Sequence, residues 1–499
     1  MSHVDYPCLG VEMEMPVAHR QTGHTCRVHS FFRNLGRILE ARNQESAVLS
    51  AKNQEYGLQS SYGIHSLDNS YNNLESSLGP TSPGPDGLSR LGRLILQELQ
   101  DVDHALKAEQ GMVINFSEHP DTRITRDMYF RYRAPKAIYD YSVNYRGWNH
   151  AVGFDAKAHN SPSTSLPLED CIPGMNCLLG LSAVFIAIFA NSPFEQGRIT
   201  GFKENRLTIW ERLMDCSRFP GDHKLHRPPQ VPFRNLAHYF QWMFGPGTSM
   251  WFAGCSKRGK SPDKMYLIPG DPPLLDYLGR GRQQAVSFPD RQAREVIPDL
   301  KDLEYHQFTQ YTDCRLRYTL RPEYPDPGKF LDILKHHPHK LEELLDPYLT
   351  GTYLEGRAAG ANFPDRAVWN LNQPGIAESM AIAPSAIQTG LLRNLNKTRS
   401  LVEAYNWDHL TGLRMEAARH GLDGEYAGLK VRDLCGRVLE TAGQGLRSQD
   451  HWMLNYPLWV LKAGITGSDR ALARFEQLVG SHNQRLRQLI LERKMIPPA

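Results

Sequence analysis

GVEMEMP, residues 10–16, sets two glutamates two positions apart and flanks each with apolar residues. Successive side chains of a strand point to opposite faces, so Glu12 and Glu14 share one face and Val11 and Met13 the other. Like charges so placed repel unless water solvates them or a cation is shared between them. Taken alone, the stretch reads as an edge strand with a charged, solvated face. The sharper reading, an acidic face that holds a hard cation, needs carboxylates from other strands.

Two further stretches supply them. LDNSYNNLESS, residues 67–77, carries Asp68 and Glu75 with polar side chains between. TYLEGRAAG, residues 352–360, puts Tyr353, Glu355 and Arg357 on one face if it is a strand. A carboxylate beside an arginine is by itself an ordinary ion pair. Together with GVEME it points to several strands of one curved sheet, each aiming a carboxylate at a shared concave face. Magnesium takes oxygen ligands, keeps waters, and joins one or two carboxylates to substrate phosphates. Arg206, in FKENRLTIWER, and Arg357 offer the planar forks that suit carboxylate and phosphate oxygens. An acidic metal face rimmed by arginines is what ATP-driven activation of a carboxylic acid requires.

The rest of the chain sets the frame. Its 499 residues allow up to three domains or one large enzyme domain with additions. With 57 basic and 54 acidic residues the net charge is +3, which argues against a whole-surface field made for nucleic acid or membrane. The 8 cysteines show neither a CxxC pair nor zinc spacing, which fits reduced thiols in a cytosol. The N-terminus lacks the basic start and apolar run of a signal peptide. LLGLSAVFIAIFA, residues 178–190, is too short to span a bilayer and reads as a buried helix.

Helical spacing of Phe31, Leu35, Ile38 and Leu39 predicts an amphipathic helix within residues 27–54, and LSRLGRLILQELQDVDHALK predicts a second. Candidate strands are GMVINFS (111–117), TSMWFAG (248–254), CRLRYTL (314–320) and GTYLEGRAAG (351–360). Beyond Pro374 the pattern is almost wholly helical. The expected organisation is an α+β body over residues 1–373 and a helical region over 374–499 packed on it.

GCSKRGKS, residues 254–261, satisfies the P-loop pattern G-x-x-x-x-G-K-[ST]. That mechanism needs a helix starting at the Lys-Ser pair, yet Pro262, Pro269, Pro272 and Pro273 follow. The segment reads better as a basic loop, with Lys257 and Lys260 as candidates to touch nucleotide phosphate.

GVEMEMP, LDNSYNNLESSLGP, IFANSPFEQGRITGFKENRLTIW and TYLEGRAAGANFP, in that order, resemble the glutamate-cysteine ligase family, and most of all its branch that includes the plant enzymes. The resemblance covers about residues 9–365. It implies a curved, largely antiparallel sheet with a concave active-site face and helices outside, related to the catalytic domain of glutamine synthetases. It implies an ATP- and Mg2+-dependent enzyme that phosphorylates the side-chain carboxylate of glutamate and joins it to the amine of cysteine, the first step of glutathione biosynthesis. Glu12, Glu14, Asp68, Glu75 and Glu355 are then the magnesium face, Arg206 and Ser192 contact glutamate, and Arg357 lies against the transferred phosphoryl with Glu355 beside it. A further metal ligand of the family falls in HNSPSTSLPLED, residues 159–170, on either His159 or Ser165. The expected partners are small molecules only, with a monomer or homodimer in the cytoplasm and neither nucleic acid nor membrane bound.

Two alternatives stay beside this reading. One keeps the γ-glutamyl phosphate and changes the amine acceptor. The other is a P-loop NTPase built on GCSKRGKS. A nonenzymatic RNA or protein binding module using the basic stretches is a third class, disfavoured by the near-neutral charge.

Overall fold

A computed structural model of the chain describes residues 5–51, 53–68, 72–123, 125–149, 152, 158–253, 265–288 and 290–498. Nine strands form one sheet: β1 (Leu9–His19), β2 (Ser46–Ala51), β3 (Gln54–Ser60), β4 (Gly63–Leu67), β5 (Asn73–Leu78), β6 (Gly111–Val113), β7 (Asn160–Ser165), β8 (Cys314–Leu320) and β9 (Leu349–Gly356). They run in the order β8-β9-β7-β1-β5-β4-β3-β2, with β6 on the end of β1, and all these pairings are antiparallel. This is the α+β architecture expected from the sequence.

β1 carries the alternation that opened the sequence. Val11, Met13, Met15 and Val17 are buried in the core, while Glu12 and Glu14 point to the other face. Helix α1 (Phe31–Glu40) buries Phe31, Phe32, Leu35 and Leu39, the stripe its spacing predicts, and packs on α2 (Gly87–Lys107). The predicted helical stretch ends at Glu40, and residues 46–51 turn into β2 instead. SAVLSA is a mostly exposed edge strand of small residues, so burial imposes no clear alternation that would reveal it.

Two predicted strands need correction. Among its described residues, 248–253, TSMWFAG makes only an isolated bridge at Ala253 with Tyr266. Met250, Trp251, Phe252 and Ala253 are all buried, and a run buried on every side resembles a strand in sequence without being one. GMVINFS is a strand only over Gly111–Val113.

The apolar run 178–190 is buried throughout, as expected, but it is split between α3 (Leu168–Gly180) and α4 (Ser182–Ile188), bent by 48°. Among the described residues no single helix is long and apolar enough to cross a membrane. Beyond Pro374 the chain is helical apart from a two-residue strand pair, Glu425–Tyr426 with Leu429–Lys430.

This helical part shares one continuous hydrophobic core with the sheet. Helix Ala383–Arg393 lies against β7, where Gln388 Nε2 donates to Pro162 O (3.0 Å), Thr164 Oγ1 (3.1 Å) and Leu354 O (3.2 Å). Pro162 has no N–H to give the ladder, and Gln388 ties its carbonyl to the helical part instead. A Cβ at residue 356 would meet Gln388 Oε1 at 2.2 Å, so a larger residue there has to displace that amide.

Candidate active site

The strand register assembles the acidic group. Across β1 and β5, Glu14 stands opposite Glu75 and Glu12 opposite Ser77; across β4 and β5, Ser66 stands opposite Glu75, and Asp68 follows β4 directly. Carboxylate oxygens of Glu14, Asp68 and Glu75 lie within 4.8 Å of one another. Glu12 lines the same cavity, which has a volume of about 190 Å³. Its other walls are Lys136, Tyr139, Trp148, Trp210, Tyr311 and the arginines 315, 317 and 357. Trp210 and Tyr311 pack with ring centroids 4.4 Å apart, and Trp148 Nε1 donates to Asp222 Oδ2 at 2.8 Å, so these rings are fixed.

Glu355 is placed differently from the expectation. It is 1% exposed, and its oxygens meet Arg315 Nη2 (2.6 Å), Arg315 Nε (2.8 Å), Arg357 Nη1 (2.8 Å) and Arg317 Nε (3.5 Å). Burial raises its carboxyl, but the three guanidinium groups outweigh that and hold it well below the usual carboxylate range. Glu355 is thus the hub of an arginine cluster beside the acids rather than a member of the acidic group.

Arg206 and Ser192 also depart from expectation. Neither lines the cavity. Arg206, at the start of helix Arg206–Met214, is buried, with Nε 3.0 Å from Glu204 Oε1 and Nη2 donating to the carbonyls of Arg357 (3.3 Å) and Ala358 (3.1 Å). Ser192 Oγ accepts from the backbone N–H of Arg206 at 3.1 Å. Together they brace the chain segment that presents Arg357. The signal lay two residues upstream, because a buried Glu204 claims the guanidinium of Arg206.

Of the two alternatives on residues 159–170, His159 adjoins the acids and Ser165 does not. His159 Nε2 is 3.2 Å from Glu14 Oε1, its backbone N–H donates to Glu14 Oε2 at 3.1 Å, and Nδ1 is 2.8 Å from Ser161 Oγ. Burial, reinforced by Arg357 and Arg206, pushes the imidazole well below its ordinary value, so it is neutral. Ser165 Oγ donates to Cys8 O at 3.2 Å, at the far end of β7. Lys257 and Lys260, with the whole GCSKRGKS motif, lie outside the described residues.

Sequence reading missed Arg315 and Arg317, although their alternation in CRLRYTL is the same signal as in GVEME. It also missed the support behind Arg357. Arg414, on helix Trp407–His420, pairs with Asp313 through Nε and through Nη2 to Oδ1 (2.9 Å), and Asp313 O accepts the backbone N–H of Arg357 at 2.7 Å. A second cleft, of about 530 Å³, adjoins the acidic cavity on the sheet and shares Glu12 with it. Small and hydroxyl side chains line much of it, among them Gly10, Ser77, Ser163, Ser165 and Tyr353.

Residues 159–242, from β7 through α3, α4 and helix Arg206–Met214, match the family model described as glutamate-cysteine ligase family 2 (GCS2). The chain also aligns with a solved glutamate-cysteine ligase from Francisella tularensis, in complex with AMP, at a TM-score of 0.52 and 10% identity over 97% of this chain and 88% of that one. At that identity the likeness shows a shared fold. The ligase PafA, solved with the ubiquitin-like protein Pup, aligns at a TM-score of 0.38 and 10% identity, over 97% of this chain and 72% of that one. No curated protein matches the chain. Over residues 159–242 the chain is similar to carboxylate-amine ligases, on a fold that it shares with a solved one. The resemblance to the glutamate-cysteine ligase family is borne out over that segment, and the shared fold agrees with it.

Proposed function

We propose that the chain is an ATP- and magnesium-dependent ligase that couples the side-chain carboxylate of L-glutamate to the amine of L-cysteine, giving γ-glutamylcysteine. The observation that carries this reading is the meeting of Glu14, Asp68 and Glu75 within 4.8 Å beside three arginines. A crowded set of hard oxygen donors fits magnesium, and Glu12, Glu14, Asp68 and Glu75 would hold it, with His159 at their edge. When bound, the metal neutralises charge on the phosphates and orients them.

The chain's own residues account for the rest. A γ-carboxylate oxygen of glutamate attacks the γ-phosphorus of ATP and ADP leaves. The amine nitrogen then attacks the acyl carbon, phosphate leaves, and the nitrogen loses a proton. Arg357 reaches the transferred oxygens, and Glu355 with Arg315 keeps it aligned. Arg206 and Ser192 brace the backbone behind it. Trp148, Trp210 and Tyr311 restrict water, which protects the acyl phosphate from hydrolysis. The adjoining cleft has room for the nucleoside, and the AMP complex of the Francisella enzyme on the same fold supports nucleotide use. A place in glutathione biosynthesis and a cytoplasmic setting belong to this proposal, and the free thiols among the described residues fit it.

The test is ADP release and mass-spectrometric detection of the amide, with glutamate, magnesium and either cysteine or a panel of other amines. Turnover that rises with cysteine supports the reading, and turnover with another amine alone moves the acceptor. If Lys260→Ala abolishes nucleotide hydrolysis while Glu75→Gln leaves it intact, the P-loop alternative replaces the ligase.

A further inference from the structure

Arg317 stands apart in the arginine cluster. Arg315 is fully engaged: it takes both oxygens of Glu355, and its Nη1 donates to the carbonyls of Phe308 (3.1 Å) and Gln310 (3.4 Å). Arg357 has its own direct bond to Glu355. Arg317 touches the cluster only through Nε, at 3.5 Å from Glu355 Oε2 and 3.4 Å from Tyr353 OH. It is 7% exposed, and among the described residues its buried Nη1 has no hydrogen-bond partner. A buried donor left unpaired is costly, the more so on a charged group, and it marks a place for an oxyanion. Three guanidinium groups share the single carboxylate of Glu355, and Arg317 has the weakest hold on it.

Position selects the anion. Arg317 is registered opposite Tyr353 across β8 and β9. Arg317 lines the acidic cavity, whereas Tyr353 and Thr319 line the adjoining cleft. Its guanidinium therefore stands at the boundary between the two spaces. A ligand that extends from the hydroxyl-lined cleft to the acidic group passes this boundary, and a polyphosphate chain has that length and charge. An amino-acid carboxylate has no need to bridge the two.

We propose that Arg317 binds a phosphate oxygen of the nucleotide where it crosses from the cleft to the acidic group. The assignment rests on the ligase reading only in taking a nucleotide as substrate. Its test is calorimetric titration of the full chain with magnesium and a non-hydrolysable ATP analogue, and separately with glutamate. Arg317→Met should weaken nucleotide binding about 10- to 100-fold, the range for a charge-assisted hydrogen bond. Arg317→Lys should fall between Met and wild type, and glutamate affinity should stay within about twofold in both. Arg315 and Arg357 still neutralise Glu355 in either variant, and an unchanged unfolding temperature confirms the fold; Arg317→Lys carries the test if Arg317→Met misfolds. Equal nucleotide affinity in wild type and variants overturns the assignment and leaves the ligase reading in place. Loss of glutamate affinity alone overturns it in favour of a carboxylate ligand. A wild-type chain that binds no nucleotide overturns the ligase reading itself, and Arg317's role with it.

Discussion

Glu14 and Glu75 face one another as direct partners across the antiparallel pair β1 and β5, with Asp68 completing a group whose oxygens lie within 4.8 Å. Like charges directly opposite on a sheet destabilise it. A shared divalent cation reverses that sign.

Magnesium should therefore stabilise the folded chain. At about 100 times its Kd the linkage is worth roughly 2.7 kcal/mol, which in a chain of this size raises Tm by roughly 2–3 °C. Glu75→Gln should leave the metal-free protein as stable or more so and remove most of the shift. Thermal unfolding with and without magnesium reads both effects. A Glu75→Gln protein that keeps the full shift would show that the ion binds elsewhere.

Removing the hub of the arginine cluster should be far more damaging. Glu355→Gln removes the buried carboxylate that Arg315, Arg317 and Arg357 share, and breaking a buried pair in this way costs about 3–5 kcal/mol. Urea unfolding measures it. A loss below about 1 kcal/mol would mean that water or a bound anion already screens the cluster.

Arg414→Ala tests the support that reaches Arg357 from the helical part. Through Asp313 the change loosens the backbone of Arg357, so kcat should fall about 10-fold while the KM for ATP moves little. Asp313→Ala should behave alike, and the double variant should add almost nothing. Additive losses would rule out a common route.

Acid stability follows from buried histidines, His159 of the candidate site and three others. Burial pushes His119 and His226 down to about 3 and His306 to about 4. The unfolded chain protonates each below about 6.5, whereas the fold keeps them neutral. Stability is thus intact above that value and falls as the pH drops from about 6.5 towards 4, by about 1.4 kcal/mol per pH unit for each histidine. Glu118 and Glu204, raised by burial, act in the opposite sense, because the fold keeps their protons where the unfolded chain loses them, and so make the net slope shallower. Urea unfolding at pH 7.5, 6.5 and 5.5 gives the slope. His226→Gln should reduce it by about one proton, and an unchanged slope would place a charged His226 in the fold.

The acidic face was legible because its signal is local. In GVEME alternation alone puts the right side chains on one face, and LDNSYNNLES runs from the end of β4 into β5. What escaped notice depends on neighbours from elsewhere in the chain. Whether Glu355 faces acids or arginines is decided by β8, its partner in the sheet and 35 or more residues away in sequence. Arg206 reads as a substrate residue until Glu204 is seen buried beside it. The SAVLSA strand has too little apolar surface to declare itself, and TSMWFAG has too much.

Pro162, Gly356 and Gln388 bind three remote parts of the chain into one unit of inheritance. The glutamine reaches from another layer to carbonyls on two strands, one of them the proline's, and the glycine leaves room for its amide. A homologue that enlarges residue 356 displaces that amide and loses its bonds to Pro162 O and Leu354 O, so these three sites should change together or not at all.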